Sequence, residues 1–147
     1  MARKVAGFTL IEILFALALL GILIGIAIPS FTDWQVERQL VSDVKKVLSF
    51  VQKERAKAYS TKQNIVLTVD GTDNICDNVG DCVHMHHAFQ ANSTNITISS
   101  RGIYDDEHIR IQDDALRQEY KPKYSCIDLT STRARLGKYD GSNCNAQ

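Results

Sequence analysis

The chain has 147 residues, which is enough for one domain and too few for most multidomain enzymes. Its 17 lysines and arginines balance its 17 aspartates and glutamates, so it lacks the overall basic excess that is typical of nucleic-acid-binding proteins. Hydrophobic residues make up 44% of the chain although the mean hydropathy is only -0.16, which indicates that the apolar residues are unevenly distributed. Residues 8–31 hold 18 apolar side chains in 24 positions.

This N-terminal apolar segment is long enough to cross a lipid bilayer. Residues 8–28 are interrupted only by two polar residues and two glycines, and as a helix they would extend over about 32 Å. Because Arg3 and Lys4 precede the segment, the positive-inside rule predicts a cytoplasmic N-terminus and an exported remainder. A cleaved signal peptide fits less well, since its apolar region is shorter and ends at small residues, whereas this one ends in Ile28-Pro29.

Glu12 lies one turn inside the apolar segment, where a charge is costly. A charged side chain at the centre of a membrane helix costs at least about 2.5 kcal/mol on insertion scales, so an acid in such a helix needs a cation or a proton as its partner. A new amino terminus would supply the cation if the chain were cut immediately before Phe8.

Residues 4–12 read Lys-Val-Ala-Gly-Phe-Thr-Leu-Ile-Glu and resemble the processing site of type IV prepilins and type II secretion pseudopilins. The resemblance implies that residues 1–7 are a leader, and that a prepilin peptidase cuts between Gly7 and Phe8 and methylates the new amino group. It implies that Glu12 meets the positive terminus of a neighbouring subunit, and an ion pair in a low-dielectric helix bundle can enforce register between subunits. Glu12 is therefore predicted to be an assembly residue, and the predicted partners are other pilin subunits, minor pilins, the peptidase and the inner membrane.

An amphipathic helix is predicted after the membrane segment. We assign residues 8–30 to the membrane and assembly helix and residues 31–60 to the amphipathic helix. A kink or local melting is expected at Pro29 because proline lacks a backbone N–H. One apolar stripe recurs at the helical period and is expected to pack on the globular domain. The stripe consists of Leu40, Val41, Val44, Val47, Leu48 and Val51.

Residues 61–147 alternate short strand patterns with turn residues. Strands are predicted at residues 65–69, 83–89, 96–98, 108–111 and 124–130, and turns at residues 70–71, 78–80, 101–102 and 137–141. Such a segment is too short to bury a large core alone, so the apolar stripe of the helix must supply a second face. The predicted fold class is α+β, with a long N-terminal helix packed on a small antiparallel β-sheet or sandwich.

The four cysteines lie on the exported side of the membrane, where disulfides persist. They allow three pairings. We favour Cys76 with Cys82, which closes a short turn, and Cys126 with Cys144, which ties the C-terminal tail to the last strands.

No metal site and no enzyme are predicted. Cys82, His84 and His86 alternate and would share one strand face, but zinc needs further ligands and a thiolate that a disulfide removes. We therefore expect a polar outer strand face at these positions. Catalytic signatures such as a nucleophile elbow, a P-loop or a His-Glu-x-x-His motif do not occur, and no cofactor is expected.

Charges of opposite sign are segregated along the sequence. Residues 70–114 contain nine acidic side chains and two arginines, whereas residues 117–139 contain six basic side chains and two acidic ones. Paired cations on one strand face suit contacts with phosphates. The expected basic patch comprises Lys121 and Lys123, Arg133 and Arg135, each pair on one strand face, and Lys138.

The β-rich region resembles the FimT/FimU and GspH-like group of minor pilins and minor pseudopilins. The resemblance lies in Ser100-Arg101-Gly102 and in a late strand that runs into Thr132-Arg133-Ala134-Arg135. Some members bind DNA through a Gly-Arg-x-Arg motif, but in this chain a threonine replaces that glycine. The basic patch is thus interpreted as a contact for double-stranded DNA, as a docking surface for the acidic face of a neighbouring pilin, or as a solvated face.

The predicted function is that of a minor type IV pilin, a structural subunit near the pilus tip that helps to initiate assembly. A second hypothesis is that the same subunit contacts DNA during natural transformation. The alternative is a minor pseudopilin of a type II secretion system with no role in DNA binding. The precursor is predicted to be a single-pass protein of the bacterial inner membrane with a periplasmic C-terminal domain, and the assembled subunit belongs to the extracellular fibre.

Overall fold

The computed structural model describes residues 8–147, apart from the side chains of residues 26–30. The leader and its cleavage site at Gly7 lie outside the described residues, and the kink or local melting expected at Pro29 stays a prediction. The chain divides into two units between Gln35 and Val36. The elements, in chain order, are α1 (Leu10–Thr61), β1 (Ile65–Asp70), β2 (Asn74–Asp77), β3 (Cys82–His84), β4 (Phe89–Ile98), β5 (Glu107–Ile111), α2 (Asp114–Tyr120), β6 (Cys126–Thr130), β7 (Arg133–Tyr139) and β8 (Cys144–Ala146).

The predicted membrane and amphipathic segments belong to a single helix, α1, of 52 residues. Thr9 precedes it, and the Thr9 side-chain oxygen accepts a hydrogen bond from the Glu12 N–H at 3.3 Å, which satisfies one of the unpaired amides of the first turn. The helix ends before Lys62, which takes a left-handed conformation with φ 57°. This conformation is a common helix terminator because the backbone can no longer continue the helical hydrogen bonds.

All eight strands form one antiparallel sheet in the order β3-β2-β1-β4-β5-β6-β7-β8. Strands β4 to β8 follow one another in chain order and in space, so short turns suffice to connect most of them. The predicted α+β class, with a helix packed on a small antiparallel sheet, is therefore confirmed.

The core of the second unit lies between α1 and one face of the sheet. Four members of the predicted apolar stripe are wholly buried, and Val41 and Leu48 are half-buried. Burying a valine or leucine side chain contributes about 1.5–3 kcal/mol, so this interface is a major part of the stability of the unit. The sheet contributes Ile65, Leu67, Ile75, Phe89, Ile96, Ile98, Ile109, Ile111, Ile127 and Leu129, and α1 contributes Leu40, Val44, Val47, Phe50, Val51 and Ala58.

The strand predicted at residues 83–89 is wrong. Strand β3 ends at His84, residues 85–88 form a loop, and β4 starts at Phe89 and runs for ten residues instead of the three predicted around residues 96–98. A carboxylate of α1 holds the loop, because Asp43 Oδ2 accepts the backbone N–H of His86 at 2.9 Å. This long-range contact replaces the ladder hydrogen bond that a continuous strand would need.

The C-terminal third also differs from its prediction. Strand β6 ends at Thr130, a turn reverses the chain, and β7 then occupies positions 137–139, which were assigned to a turn. Strands β2 and β8 and the short helix α2 were not predicted. Helix α2 has no buried residue, so it lacks an apolar stripe, and its one sequence signal is the N-cap Asp113, whose side chain accepts the N–H groups of Ala115 and Leu116.

Both disulfides have the favoured pairing. Cys76 and Cys82 face each other across β2 and β3, with a Cα–Cα distance of 4.1 Å. Cys126 of β6 is bonded to Cys144 of β8, with a Cα–Cα distance of 5.9 Å. The described chain has no free cysteine.

Candidate functional site: the N-terminal helix and the charged surfaces

An exposed apolar surface characterises the first unit. Every residue from 8 to 25 is exposed, and we call this stretch the N-terminal apolar surface. Phe8 is 78% exposed and Leu10 79%, which is unusual for large apolar side chains of a soluble monomer. Among the described residues, no helix combines the length and the apolar character that a membrane crossing requires. The single-pass topology stays a prediction.

Glu12 lies in the first turn of α1 and is exposed. A carboxylate there interacts favourably with the positive end of the helix dipole, and the spacing from Thr9 to Glu12 matches the Thr-x-x-Glu pattern of a capping box. This pattern was not predicted from the sequence. Glu12 thus has a local structural role available to it besides pairing with another subunit.

The predicted basic patch is only partly assembled. Arg133 and Arg135 are exposed and, two residues apart on β7, project from the same face of the sheet. Arg135 Nη2 lies 3.3 Å from Asp128 Oδ2 on β6, which partly neutralises it. Lys138 lies on the opposite face of β7 from these two arginines. It pairs in register with Asn145, near the other end of the strand.

Lys121 and Lys123 do not share a strand face as predicted. Lys121 ends α2 in a left-handed conformation with φ 43°, and Lys123 lies in the segment before β6, with its ammonium 5.2 Å from the ring centre of Tyr124. The Asp113 N-cap starts a helix where the sequence suggested an extended segment. The pair Arg133 and Arg135 therefore remains as the coherent part of the patch.

Arg55 of α1 fixes the turn in front of Arg133. Its Nε donates to the carbonyl oxygen of Gly102 and its Nη1 to that of Thr132, each at 2.8 Å. The guanidinium also lies 5.2 Å from the ring centre of Tyr104, within the range of a cation–π contact. One side chain thus joins the two turns that carry the subgroup resemblance. The role of Arg55 was not predicted from the sequence, because nothing in a helical pattern marks such a contact.

A second charged cluster joins α1 to the turn closed by Cys76 and Cys82. Carboxylate oxygens of Glu54, Asp77 and Asp81 lie within 4.8 Å of one another. The Lys57 ammonium is among them, at 2.6 Å from Asp77 and 2.8 Å from Asp81. A lysine in this position does what a bound cation would do, so the cluster is an ion-pair network and not a vacant metal site.

Burial and ion pairing shift the pKa values of Asp77 and Glu54 in opposite directions. Burial opposes ionisation of Asp77, but hydrogen bonds from Lys57 and from the backbone N–H groups of Asp81, Val79 and Gly80 outweigh it and lower the pKa of Asp77 to about 2. Glu54 is wholly buried, and neither of its carboxylate oxygens has a hydrogen-bond partner in the described part of the chain. Burial raises the pKa of Glu54 above its usual value, although Lys57 opposes the shift.

Cys82 cannot serve as a thiolate ligand, because it is bonded to Cys76. The alternating set of Cys82, His84 and His86 that the sequence suggested is therefore not a ligand set. His84 is exposed at the end of β3, and His86 lies in the loop that follows.

Comparison with known families identifies the N-terminal segment. Residues 2–28 match the model of the prokaryotic N-terminal methylation motif. No curated protein and no solved structure matches the chain. The match contains the predicted cleavage site, Phe8 and Glu12, and it coincides with the apolar part of α1. This N-terminal match supports the interpretation of the chain as a type IV pilin-like protein.

Proposed function

We propose that this chain is a minor type IV pilin, a structural subunit without catalytic activity that is incorporated at low copy near the tip of the fibre. The observation that carries the proposal is the N-terminal apolar surface, in which residues 8–25 are all exposed. Each large apolar side chain that passes from water to an apolar environment contributes about 1.5–3 kcal/mol, so this surface strongly favours a partner. The methylation motif at residues 2–28 indicates that the partner consists of like helices.

Assembly then exchanges one apolar environment for another. In the precursor, the inner membrane covers the N-terminal apolar surface, and the helices of neighbouring subunits cover it in the fibre. In either environment, an unpaired Glu12 carboxylate is costly. Pairing Glu12 with the amino group of a neighbouring Phe8 offsets this cost at one register only, which aligns the subunits.

Two substitutions separate the charge of Glu12 from its capping role. Glu12→Gln retains a side chain that can complete a capping box but removes the charge, whereas Thr9→Ala removes the cap and keeps the charge. We expect full-length Glu12→Gln to reach the membrane at the wild-type level but to be absent from sheared and purified fibres. The Thr9→Ala variant should be incorporated nearly normally.

Immunoblots of membrane and fibre fractions measure both quantities. Normal incorporation of Glu12→Gln would refute the ion-pair mechanism. Incorporation lost equally in both variants would instead indicate that the helix N-terminus, and not the charge, is required. Mass spectrometry of the mature chain should find a methylated Phe8 as its first residue, and a mature N-terminus near Phe31 would contradict the pilin assignment.

The alternative is a minor pseudopilin of a type II secretion system. The N-terminal motif is common to both classes, so it does not distinguish them. Deletion of the chain should reduce surface fibres and twitching motility if it is a minor pilin, and should reduce protein secretion without affecting fibres if it is a pseudopilin. A crosslink from the globular unit to a fibre subunit or to a secretion component would identify its neighbours.

Contact with DNA is a second candidate function, supported by the exposed pair Arg133 and Arg135 on one face of β7. We expect the full-length chain in detergent micelles to bind duplex DNA with a salt-dependent affinity. The double substitution Arg133→Ala with Arg135→Ala should reduce the slope of log affinity against log salt by about 2, because two phosphate contacts are lost. Lys138→Ala is the matched control, since Lys138 lies on the other face. Unchanged binding by the double variant would exclude this function for the pair.

A further inference from the structure

The loop of residues 85–88 carries two adjacent histidines on a buried carboxylate. Asp43 of α1 is wholly buried, although it lies in a helix whose exposed side is polar. Its Oδ2 accepts the backbone N–H of His86 at 2.9 Å and also lies 2.9 Å from Nδ1 of His87. Its Oδ1 is 3.4 Å from the ammonium of Lys46. Asp43 therefore fixes both the path of the loop and the orientation of one imidazole ring.

This contact determines which nitrogen of His87 is available to a ligand. A carboxylate accepts hydrogen bonds, so Nδ1 of His87 is the protonated nitrogen and Nε2 of the neutral ring keeps its lone pair. A histidine whose other nitrogen donates to a carboxylate is the usual arrangement around protein-bound metals, because the carboxylate orients the ring and raises its basicity. The side chain of His87 is 16% exposed, so it is held by the protein but remains accessible.

A hollow of about 470 Å³ lies beside the two histidines, between the loop and the start of α2. Asp113 also lines the hollow. Its Oδ1 accepts the N–H groups of Ala115 and Leu116, and within the described residues no hydrogen bond to its Oδ2 occupies that oxygen. Two imidazoles and a carboxylate are a donor set for zinc and related borderline metals, and not for calcium or magnesium. The hollow is lined by His86, His87, Ala88, Gln112, Asp113 and Leu116.

We propose that His86, His87 and Asp113 form a surface site for a divalent metal ion of the zinc type, with Asp43 as its positioning residue. Within the described residues, the ligand atoms of these three side chains do not all lie within 4.8 Å of one another. Metal binding therefore requires the side chains of His86 and Asp113, which are exposed, to turn towards His87, whose ring Asp43 holds. A bound metal would join the loop to α2. The proposal is independent of the pilin assignment.

Zinc titration of the untagged full-length chain in detergent micelles tests the site. Competition with a chromophoric chelator should give one zinc per chain, and His87→Ala should abolish binding. Asp43→Asn should weaken the zinc affinity by about 10–100-fold, the usual effect of losing a supporting carboxylate. The unfolding midpoint should rise with zinc concentration in the wild type but not in His87→Ala.

His84→Ala is the matched control, because His84 is an exposed neighbour that does not line the hollow. Its zinc affinity should equal that of the wild type. If Asp43→Asn does not fold, Asp113→Asn replaces it and should also weaken binding. Absence of zinc binding by the wild type would overturn the proposal, as would an equal loss of affinity in His84→Ala and His87→Ala.

Discussion

Arg55 Nη1 donates a hydrogen bond to the carbonyl oxygen of Thr132 at 2.8 Å, although the two residues are 77 positions apart in the sequence. Together with the bond from Nε to Gly102, it joins α1 to two turns at the end of the sheet. Each turn would otherwise present an unpaired carbonyl beside the helix. The position of the turn before Arg133 therefore depends on a side chain of α1.

Replacing Arg55 with alanine should destabilise the second unit. Hydrogen bonds from charged donors contribute about 1.5–3 kcal/mol, and Arg55 is only half-buried, so we expect a loss of about 2 kcal/mol in the free energy of unfolding. Urea denaturation of the full-length chain in detergent, followed by circular dichroism, measures it. Arg101→Ala is the control, since Arg101 is exposed on one of the same turns and should change stability by less than about 0.5 kcal/mol. Equal effects would show that Arg55 does not stabilise these turns through its hydrogen bonds.

Asp77 should contribute stability that disappears in acid. Its pKa in the folded chain is about 2, below the usual 3.8, so its contribution is present above pH 4 and is lost as the pH falls towards 2. Asp77→Ala also leaves Lys57 and three backbone N–H groups without their partner, and we expect a loss of about 3 kcal/mol at pH 7.

The difference in the free energy of unfolding between wild type and Asp77→Ala, measured by urea denaturation, should therefore become smaller as the pH falls from 4 to 2. Asp73→Ala is the control, because Asp73 is exposed and outside the network. A difference that stays constant over this pH range would mean that the charge of Asp77 is not the stabilising feature.

Glu54 should have the opposite pH dependence. Because burial raises its folded pKa, its favourable contribution is present below the usual value of 4.5 and is lost as the pH rises through the folded pKa. Glu54→Gln removes the buried negative charge. Two positive side chains, Lys53 and Lys57, then remain with two negative ones, Asp81 and Asp77, so the charges of the network cancel. Relative to the wild type, Glu54→Gln should gain stability from pH 4 to pH 7 in thermal unfolding. A loss of stability over that range would indicate that the ionised Glu54 is favourably paired.

The sequence predicted features that repeat or depend on neighbouring positions. The apolar stripe from Leu40 to Val51 can be recognised from the helical period alone. The short loop between Cys76 and Cys82 keeps these two cysteines close together, which favours their pairing. Asp43 was not predicted because an acid in an amphipathic helix normally faces water, and its burial depends on a loop more than 40 residues away. The basic patch was overestimated because strand alternation was extended to Lys121 and Lys123, where the Asp113 cap starts a helix.

Gly137 was assigned to a turn, yet it lies inside β7 and has no room for a side chain. A Cβ at this position would lie 2.7 Å from Cys144 Sγ and 2.8 Å from the carbonyl oxygen of Asn145, so the backbone of β8 or the disulfide would have to move. Gly137→Ala should therefore cost about 1–3 kcal/mol, as overpacking in a close-packed site does, and should impair formation of the disulfide between Cys126 and Cys144. Thermal unfolding and titration of free thiols measure the two effects. Gly80→Ala is the control for the thiol titration. A Cβ there meets nothing within 4 Å, so this substitution strains only the backbone and should leave no free thiols. If Gly137→Ala kept both disulfides and the wild-type melting temperature, the close approach of β8 to β7 would not be what requires a glycine there.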